Sequence, residues 1–180
     1  ALALGYALAD AVVIGKMDIN QGLRQGYGIA DDGGPVAISH FPNQQYDLPL
    51  LTRSANIDPE ARAFPPCANT PLGLYPIVDR AAWLARLLPT GITTVQLRVK
   101  DLEGDALKRE VSMAVETARH YNCRLFINDH WQLAVELGAY GVHLGQEDLD
   151  DADIEAIHRA GLRLGISSHC HYEVARAHSF

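Results

Sequence analysis

Thr93-Thr94-Val95-Gln96-Leu97-Arg98-Val99-Lys100 is β-branched and strictly alternating, and read as a strand it has two unlike faces. A period of two puts Val95, Leu97 and Val99 on one face and Gln96, Arg98 and Lys100 on the other. Outward from this run, one pattern repeats. Before it, Leu74-Tyr75-Pro76-Ile77-Val78 is a short apolar run followed by a helical stretch carrying Ala82, Trp83, Leu84, Leu87 and Leu88. After it, Leu107, Val111, Ala114, Val115, Ala118 and Tyr121 form a stripe at the 3.6-residue period. Then come a strand at Arg124–Ile127, a helix at Trp131–Leu137, a strand at Gly141–Leu144, a helix at Ile154–Ala160, a strand at Leu162–Ser167 and the start of another helix. Successive β-α units with short connections predict a parallel sheet covered by helices. Two closures compete, an open doubly wound sheet and a (β/α)8 barrel, and no Gly-rich dinucleotide fingerprint follows the first strand to favour the open sheet.

The polar face of the quoted strand is where chemistry enters. In a helix-covered parallel sheet both faces of a central strand should be apolar. Turning Arg98 and Lys100 inward costs several kcal/mol per ion unless an anion neutralises them. A solvated edge strand would avoid that cost. The second strand of a barrel has no free edge, and there the pair implies a phosphate- or diphosphate-bearing ligand. The next three strands also end in polar groups: Asn128-Asp129-His130, Gly145-Gln146-Glu147-Asp148 and Ser167-Ser168-His169. In an α/β barrel these C-terminal ends converge on one face.

Asp129 and Asp148, on neighbouring strand ends, suit Mg²⁺, which takes one or two carboxylates together with substrate phosphate oxygens. The plainer alternatives are a loop carboxylate for Asp129 and a helix N-cap for Asp148, although Asp150 or Asp151 is better placed to cap the next helix. His143 reads as a packed core histidine, and Trp83 and Trp131 read as helix-packing residues. His169-Cys170-His171 falls short of the four ligands of a structural zinc site. No G-x-S-x-G, H-E-x-x-H or P-loop pattern occurs in the chain.

The first 71 residues have another texture. Residues 1 to about 25 read as a helix with Leu4, Leu8, Val12 and Ile19 on one face, ended by Gly22, Gly26 and Gly28. Asp10 and Lys16 interrupt the apolar run and no basic leader precedes it, so an ordinary helix is expected here, neither a signal peptide nor a membrane span. Pro35, Pro42, Pro49, Pro59, Pro65, Pro66 and Pro71 exclude a long helix or a central strand, which predicts loop and linker with a boundary near 53–71. The whole chain has 180 residues, with Lys+Arg 15 against Asp+Glu 22 for a net charge of −7, and 48% hydrophobic residues. That composition excludes wholesale disorder and is a poor match for nucleic acid or an anionic membrane. Cys67, Cys123 and Cys170 form no disulfide framework, so a reducing cytoplasm is expected.

GLYPIVD (73–79), TTVQLRVKD (93–101), RLFINDHW (124–131), YGVHLGQEDL (140–149) and AGLRLGISSH (160–169) resemble, in order and spacing, the thiamine-phosphate synthase family. The resemblance runs from about Leu72 to the chain end and implies a (β/α)8 TIM barrel. The implied reaction joins hydroxymethylpyrimidine diphosphate to thiazole phosphate, releasing diphosphate through a pyrimidinylmethyl cation that the thiazole nitrogen captures. Carried over by motif, Gln96, Arg98, Lys100, Asn128 and Ser167 would contact the pyrimidine diphosphate. Asp129 and Asp148 would hold Mg²⁺, and Arg98 and Lys100 would share the catalytic task of neutralising the leaving group. Ser168 stands where family members often have Thr.

GYALADAVVIGKMDINQGLR (5–24) and GGPVAISHFP (33–42) resemble the C-terminal end of ribokinase-like hydroxymethylpyrimidine phosphate kinases. The organisation this implies is a kinase remnant at 1–52, a linker at 53–71 and the N-terminal part of a synthase barrel at 72–180, from a fusion of two enzymes. No kinase activity is expected of these residues. A (β/α)8 barrel typically needs about 250 residues. About five of its eight units are therefore expected here, with little or no activity for this stretch alone and with homo-oligomerisation left open. Two other readings are a thiazole tautomerase, against which the Gln96/Arg98/Lys100 and Asp129/Asp148 sets argue, and a non-catalytic phosphate-binding fragment.

Overall fold

The computed structural model describes residues 1–28, 33–37, 40–51, 63–67 and 71–180. Of the linker expected over 53–71, only 63–67 and Pro71 lie among the described residues. In chain order the elements are α1 (Leu8–Gln25), β1 (Ile77–Val78), α2 (Ala81–Leu87), β2 (Thr94–Leu97), α3 (Gly104–His120), β3 (Arg124–Asn128), α4 (Trp131–Leu137), β4 (Gly141–Leu144), α5 (Asp148–Asp151), α6 (Ile154–Arg159), β5 (Arg163–Ile166) and α7 (His171–Ala177). The chain forms two compact units, one of Arg62–Ser167 and one of Ala1–Ala61 with Ser168–Phe180.

The larger unit holds a five-stranded sheet in the order β1-β2-β3-β4-β5, every neighbouring pair parallel. Strand order equals chain order. Because β-α-β crossovers are right-handed, such an order lays the connecting helices on a single face. A doubly wound sheet would need a reversal of order, and there is none among these strands. The packing agrees. Val95, Leu97, Leu125, Ile127, Val142 and Leu144 point to the covered face and form one core with Leu84 of α2, Leu107, Val111, Ala114, Val115 and Ala118 of α3, Ala134 of α4 and Ile157 of α6. Fully burying a Leu, Ile or Val contributes about 1.5–3 kcal/mol, so this layer is the main stabilising term of the unit.

Several expected boundaries move. The first strand shrinks from 74–78 to Ile77–Val78. Pro76 has no N–H, although its carbonyl still accepts from Gln96 N at 2.9 Å. The second strand ends at Leu97, not Lys100. The last bond joining it to β1 is Arg98 N to Val78 O at 2.7 Å, after which the β1 chain turns away into α2. Arg98 and Lys100 are therefore exposed on the segment beyond the strand, with Val99 buried between them. The expected burial of two inward cations does not occur. Tyr121 is exposed just past the end of α3 instead of continuing its stripe. The cap of α6 is neither Asp150 nor Asp151 but Asp153, whose Oδ1 accepts from Ala156 N at 2.9 Å.

In the smaller unit the helix begins at Leu8, after a short 3-10 turn at Leu2–Leu4 that Gly5 closes in the left-handed region at φ 86°. The expected apolar face is the wrong one: Leu4, Leu8 and Val12 are exposed at 75%, 68% and 64%, and Ile19 is exposed too. The buried side runs through Asp10, Val13, Ile14, Met17 and Gln21, because Val13 and Met17 pack on Ala175 of α7 and on Leu48 and Leu51. Among the described residues no helix is long and apolar enough to cross a membrane.

Candidate functional site

The sheet face that carries no helical core has a sequence of its own. In parallel pairing, side chains on the same face line up in rows across the strands. The lowest row contains Thr94 and Arg124. The middle row runs Ile77, Gln96, Phe126, Gly141, Arg163, and the upper row runs Asn128, His143, Gly165.

The lowest row is structural. Arg124 is buried and donates through Nη2 to the carbonyls of Pro71 and Leu72 at 3.1 and 3.2 Å and to Thr93 Oγ1 at 3.2 Å. Thr94 Oγ1 adds a bond to Leu72 O at 2.9 Å. In the middle row an aromatic ladder takes over: Tyr75 lies edge-on to Phe126 at 5.8 Å, Phe126 edge-on to Tyr140 at 5.5 Å, and the Arg163 guanidinium covers the Tyr140 ring at 4.6 Å. Gln96 is buried here, and its Nε2 donates to the Tyr75 hydroxyl at 3.2 Å. Burial pushes the Tyr75 phenol above its ordinary range, with the Gln96 bond acting against that rise.

The upper row and the strand ends above it gather the other polar groups. Asn128 is buried at the end of β3. Asp129 follows in the left-handed region at φ 61°, a conformation Asp tolerates better than most residues. Its N–H donates to His143 O at 2.9 Å, and its carboxylate pairs with the Lys100 ammonium. His143 is half-buried, with Nε2 2.8 Å from Ser167 Oγ, and Gln146 Nε2 donates to the Ser167 carbonyl at 2.7 Å. Burial holds the His143 imidazole below the usual histidine range, and the Asp129 charge partly offsets this.

Asp148, the first residue of α5, accepts from Gly145 N at 2.8 Å and so closes the turn after β4. Arg98 faces another way and lines an open hollow of about 530 Å³ with Ile77, Val78, Asp79, Trp83 and Leu87. Of the residues singled out in the sequence, the structure thus joins Lys100 to Asp129 directly. Asn128 and Ser167 flank His143, Gln96 lies one row below, Asp148 is held by its bond to Gly145 N, and Arg98 lines the separate hollow.

His143 is the residue misjudged from sequence: it is not packed in the hydrophobic core but stands on the site face, bonded to Ser167. The signal was present in Gly141-Val142-His143-Leu144, where Val142 and Leu144 claim the core face and parity sends His143 to the other.

A family profile described as thiamine monophosphate synthase matches residues 74–180, the stretch that carries all five strands. The chain belongs to this family. Among curated relatives, the thiamine-phosphate synthase of Photorhabdus laumondii subsp. laumondii is 61% identical over 108 residues, covering 60% of this chain and 50% of the relative. That of Serratia proteamaculans is 57% identical over 112 residues, covering 62% and 53%. The chain therefore spans about half the length of the curated relatives it matches. A solved thiamine phosphate pyrophosphorylase from Pyrococcus furiosus aligns at 27% identity and a TM-score of 0.48, over 54% of this chain and 50% of that one. In this thiamine monophosphate synthase family member the polar strand ends, Lys100 to Ser167, all lie inside the matched stretch.

Proposed function

We propose that residues from about Leu72 onward form the first five units of a (β/α)8 barrel that condenses hydroxymethylpyrimidine diphosphate with thiazole phosphate, giving thiamine phosphate and diphosphate. The observation that carries this reading is the gathering of Lys100, Asn128, Asp129, His143 and Ser167 at the C-terminal ends of consecutive parallel strands, where barrels of this kind hold their ligands. Strand order equal to chain order, helical packing on one face and a second face lined by polar and aromatic side chains support the barrel. The kinase-like resemblance of residues 1–52, joined through 53–71, belongs to the same proposal, with no activity assigned to it.

The chemistry needs no protein nucleophile. The bond from the pyrimidinylmethyl carbon to the diphosphate oxygen breaks with its electron pair leaving on oxygen, and the thiazole nitrogen then closes a C–N bond to the resulting cation. Stabilising charge on the departing oxygens is the main task. Lys100, paired with Asp129 at the strand ends, brings positive charge to those oxygens, and Arg98, which lines the hollow beside α2 in this structure, would have to turn towards them to share that task. Gln96, Asn128 and Ser167 offer an amide, a second amide and a hydroxyl to orient the pyrimidine diphosphate from the face below. Asp129 and Asp148 are hard oxygen donors of the kind Mg²⁺ takes: Asp129 already accepts a cation, the Lys100 ammonium, and Asp148, one strand end away, is bonded to Gly145 N. Bound there, Mg²⁺ would draw negative charge from the leaving diphosphate.

Calorimetry with hydroxymethylpyrimidine diphosphate tests the reading directly on this chain. Binding should require Mg²⁺ and should fall at least tenfold in the Asp129→Asn/Asp148→Asn double variant. Mg²⁺-dependent binding that survives the double substitution would sink the metal assignment, and no binding at all would sink the ligand.

A further inference from the structure

Two large-small pairs interlock across the site face. In the middle row Phe126 lies opposite Gly141, and in the upper row His143 lies opposite Gly165. The second pair is tight, because a Cβ on Gly165 would stand 2.7 Å from His143 Nδ1, closer than real contacts allow. A glycine here leaves room for the Nδ1 edge of the imidazole to come up against β5. That placement brings the other ring nitrogen, Nε2, to 2.8 Å from the hydroxyl of Ser167, two residues beyond Gly165. The Ser167 backbone is held separately, through the bond from Gln146 Nε2 to its carbonyl at 2.7 Å. The serine is thus fixed from two sides, main chain by Gln146 and side chain by His143.

We propose that His143 is a positioning residue: seated on Gly165, it carries its proton on Nε2, donates it to Ser167 Oγ and leaves the Ser167 O–H free to donate to the anionic ligand. This rests on the reading of Ser167 as a ligand contact. A hydroxyl acts as donor and acceptor at once, so occupying a lone pair with a ring N–H aims its single hydrogen elsewhere. Without that partner the hydroxyl rotates among staggered positions, and part of its binding contribution is lost. His143 itself need not touch the ligand.

The test has a ligand-free arm and a binding arm. In ¹⁵N-resolved imidazole spectra of the intact chain, His143 should show a protonated Nε2 whose resonance moves on Ser167→Ala and on Gly165→Ala. A bare Nε2, or a resonance indifferent to both substitutions, overturns the proposal without touching the broader functional reading. In calorimetry with hydroxymethylpyrimidine diphosphate and Mg²⁺, Ser167→Ala, His143→Leu and Gly165→Ala should each weaken binding about tenfold, the size expected for one lost bond to a charged group. His143→Leu should add little once Ser167 is Ala, and His143→Gln, which retains an N–H of similar reach, should recover much of the loss. Additive losses in the double variant, or an effect of Ser167→Ala with none from His143→Leu, would show that His143 does not act through the serine. Unchanged affinity on Ser167→Ala would remove the ligand contact itself, and the proposal with it.

Discussion

Lys100 and Asp129, 29 positions apart in sequence, meet as an ion pair above the ends of two neighbouring strands. The ammonium occupies a carboxylate oxygen that a cation at the proposed metal site would also need. Lys100→Met should therefore have opposite effects on two ligands. Affinity for Mn²⁺ alone, read by its electron paramagnetic resonance signal, should rise roughly two- to fivefold, the range for a solvent-exposed pair. Affinity for inorganic diphosphate in the presence of the metal should fall. A parallel fall in both would mean that the lysine does not compete for Asp129.

Gly141 is the tightest point of the middle row. A Cβ there would lie 2.6 Å from both the Arg163 carbonyl and the Phe126 ring. Gly141→Ala should destabilise the larger unit by about 1–3 kcal/mol, seen as a lower urea midpoint with little change in slope.

Arg124 ties the segment before β1 to the bottom of the sheet through its bonds to the carbonyls of Pro71 and Leu72. Arg124→Leu leaves those carbonyls without the guanidinium and should cost about 1–3 kcal/mol. Faster chymotryptic cleavage near Leu72–Tyr75 would report the loosened segment, whereas an unchanged digestion pattern would assign the arginine no anchoring role.

Asp10 Oδ1 accepts from Tyr172 N at 2.8 Å, so a side chain of α1 caps the first turn of α7. That bond is the largest influence holding the Asp10 carboxyl below its usual range, with burial acting in the opposite direction. A depressed carboxyl stabilises the fold at pH values above its unfolded pKa, about 3.9 for Asp. The contribution is lost as pH falls from there through the lower folded value. Thermal melts of the smaller unit should show this loss below about pH 4, and Asp10→Asn should remove that part of the acid dependence. An identical acid profile in the variant would contradict the assignment.

What could be read from the sequence divides along physical lines. The strand and helix alternation from Ile77 to Ala177 was legible because burial on the helical face imposes its period locally, as Val95, Leu97, Val142 and Leu144 show. The residues at the strand ends were legible because their chemistry is unusual for such positions. Where a strand stops was not: β2 ends when β1 turns away, a fact that belongs to another segment. Nor was the buried side of α1. Leu4, Leu8, Val12 and Ile19 satisfy the periodicity as well as Val13 and Met17 do, and only Ala175, Leu48 and Leu51 decide between them. His143 was legible only by parity: Val142 and Leu144 on either side claim the core face and send the histidine to the other, which its type alone does not reveal.

The two glycines of the site face also constrain how its residues can change. Phe126 with Gly141, and His143 with Gly165, divide a fixed space between adjacent strands, and neither member can grow unless the other shrinks. At Gly141 shrinking Phe126 is not enough, because the Arg163 carbonyl would still meet any side chain, so that glycine is fixed by backbone and ring together. Only the upper pair behaves as a single unit of variation, and exchanging its bulk would carry the imidazole from β4 to β5 and take it away from the hydroxyl it now meets.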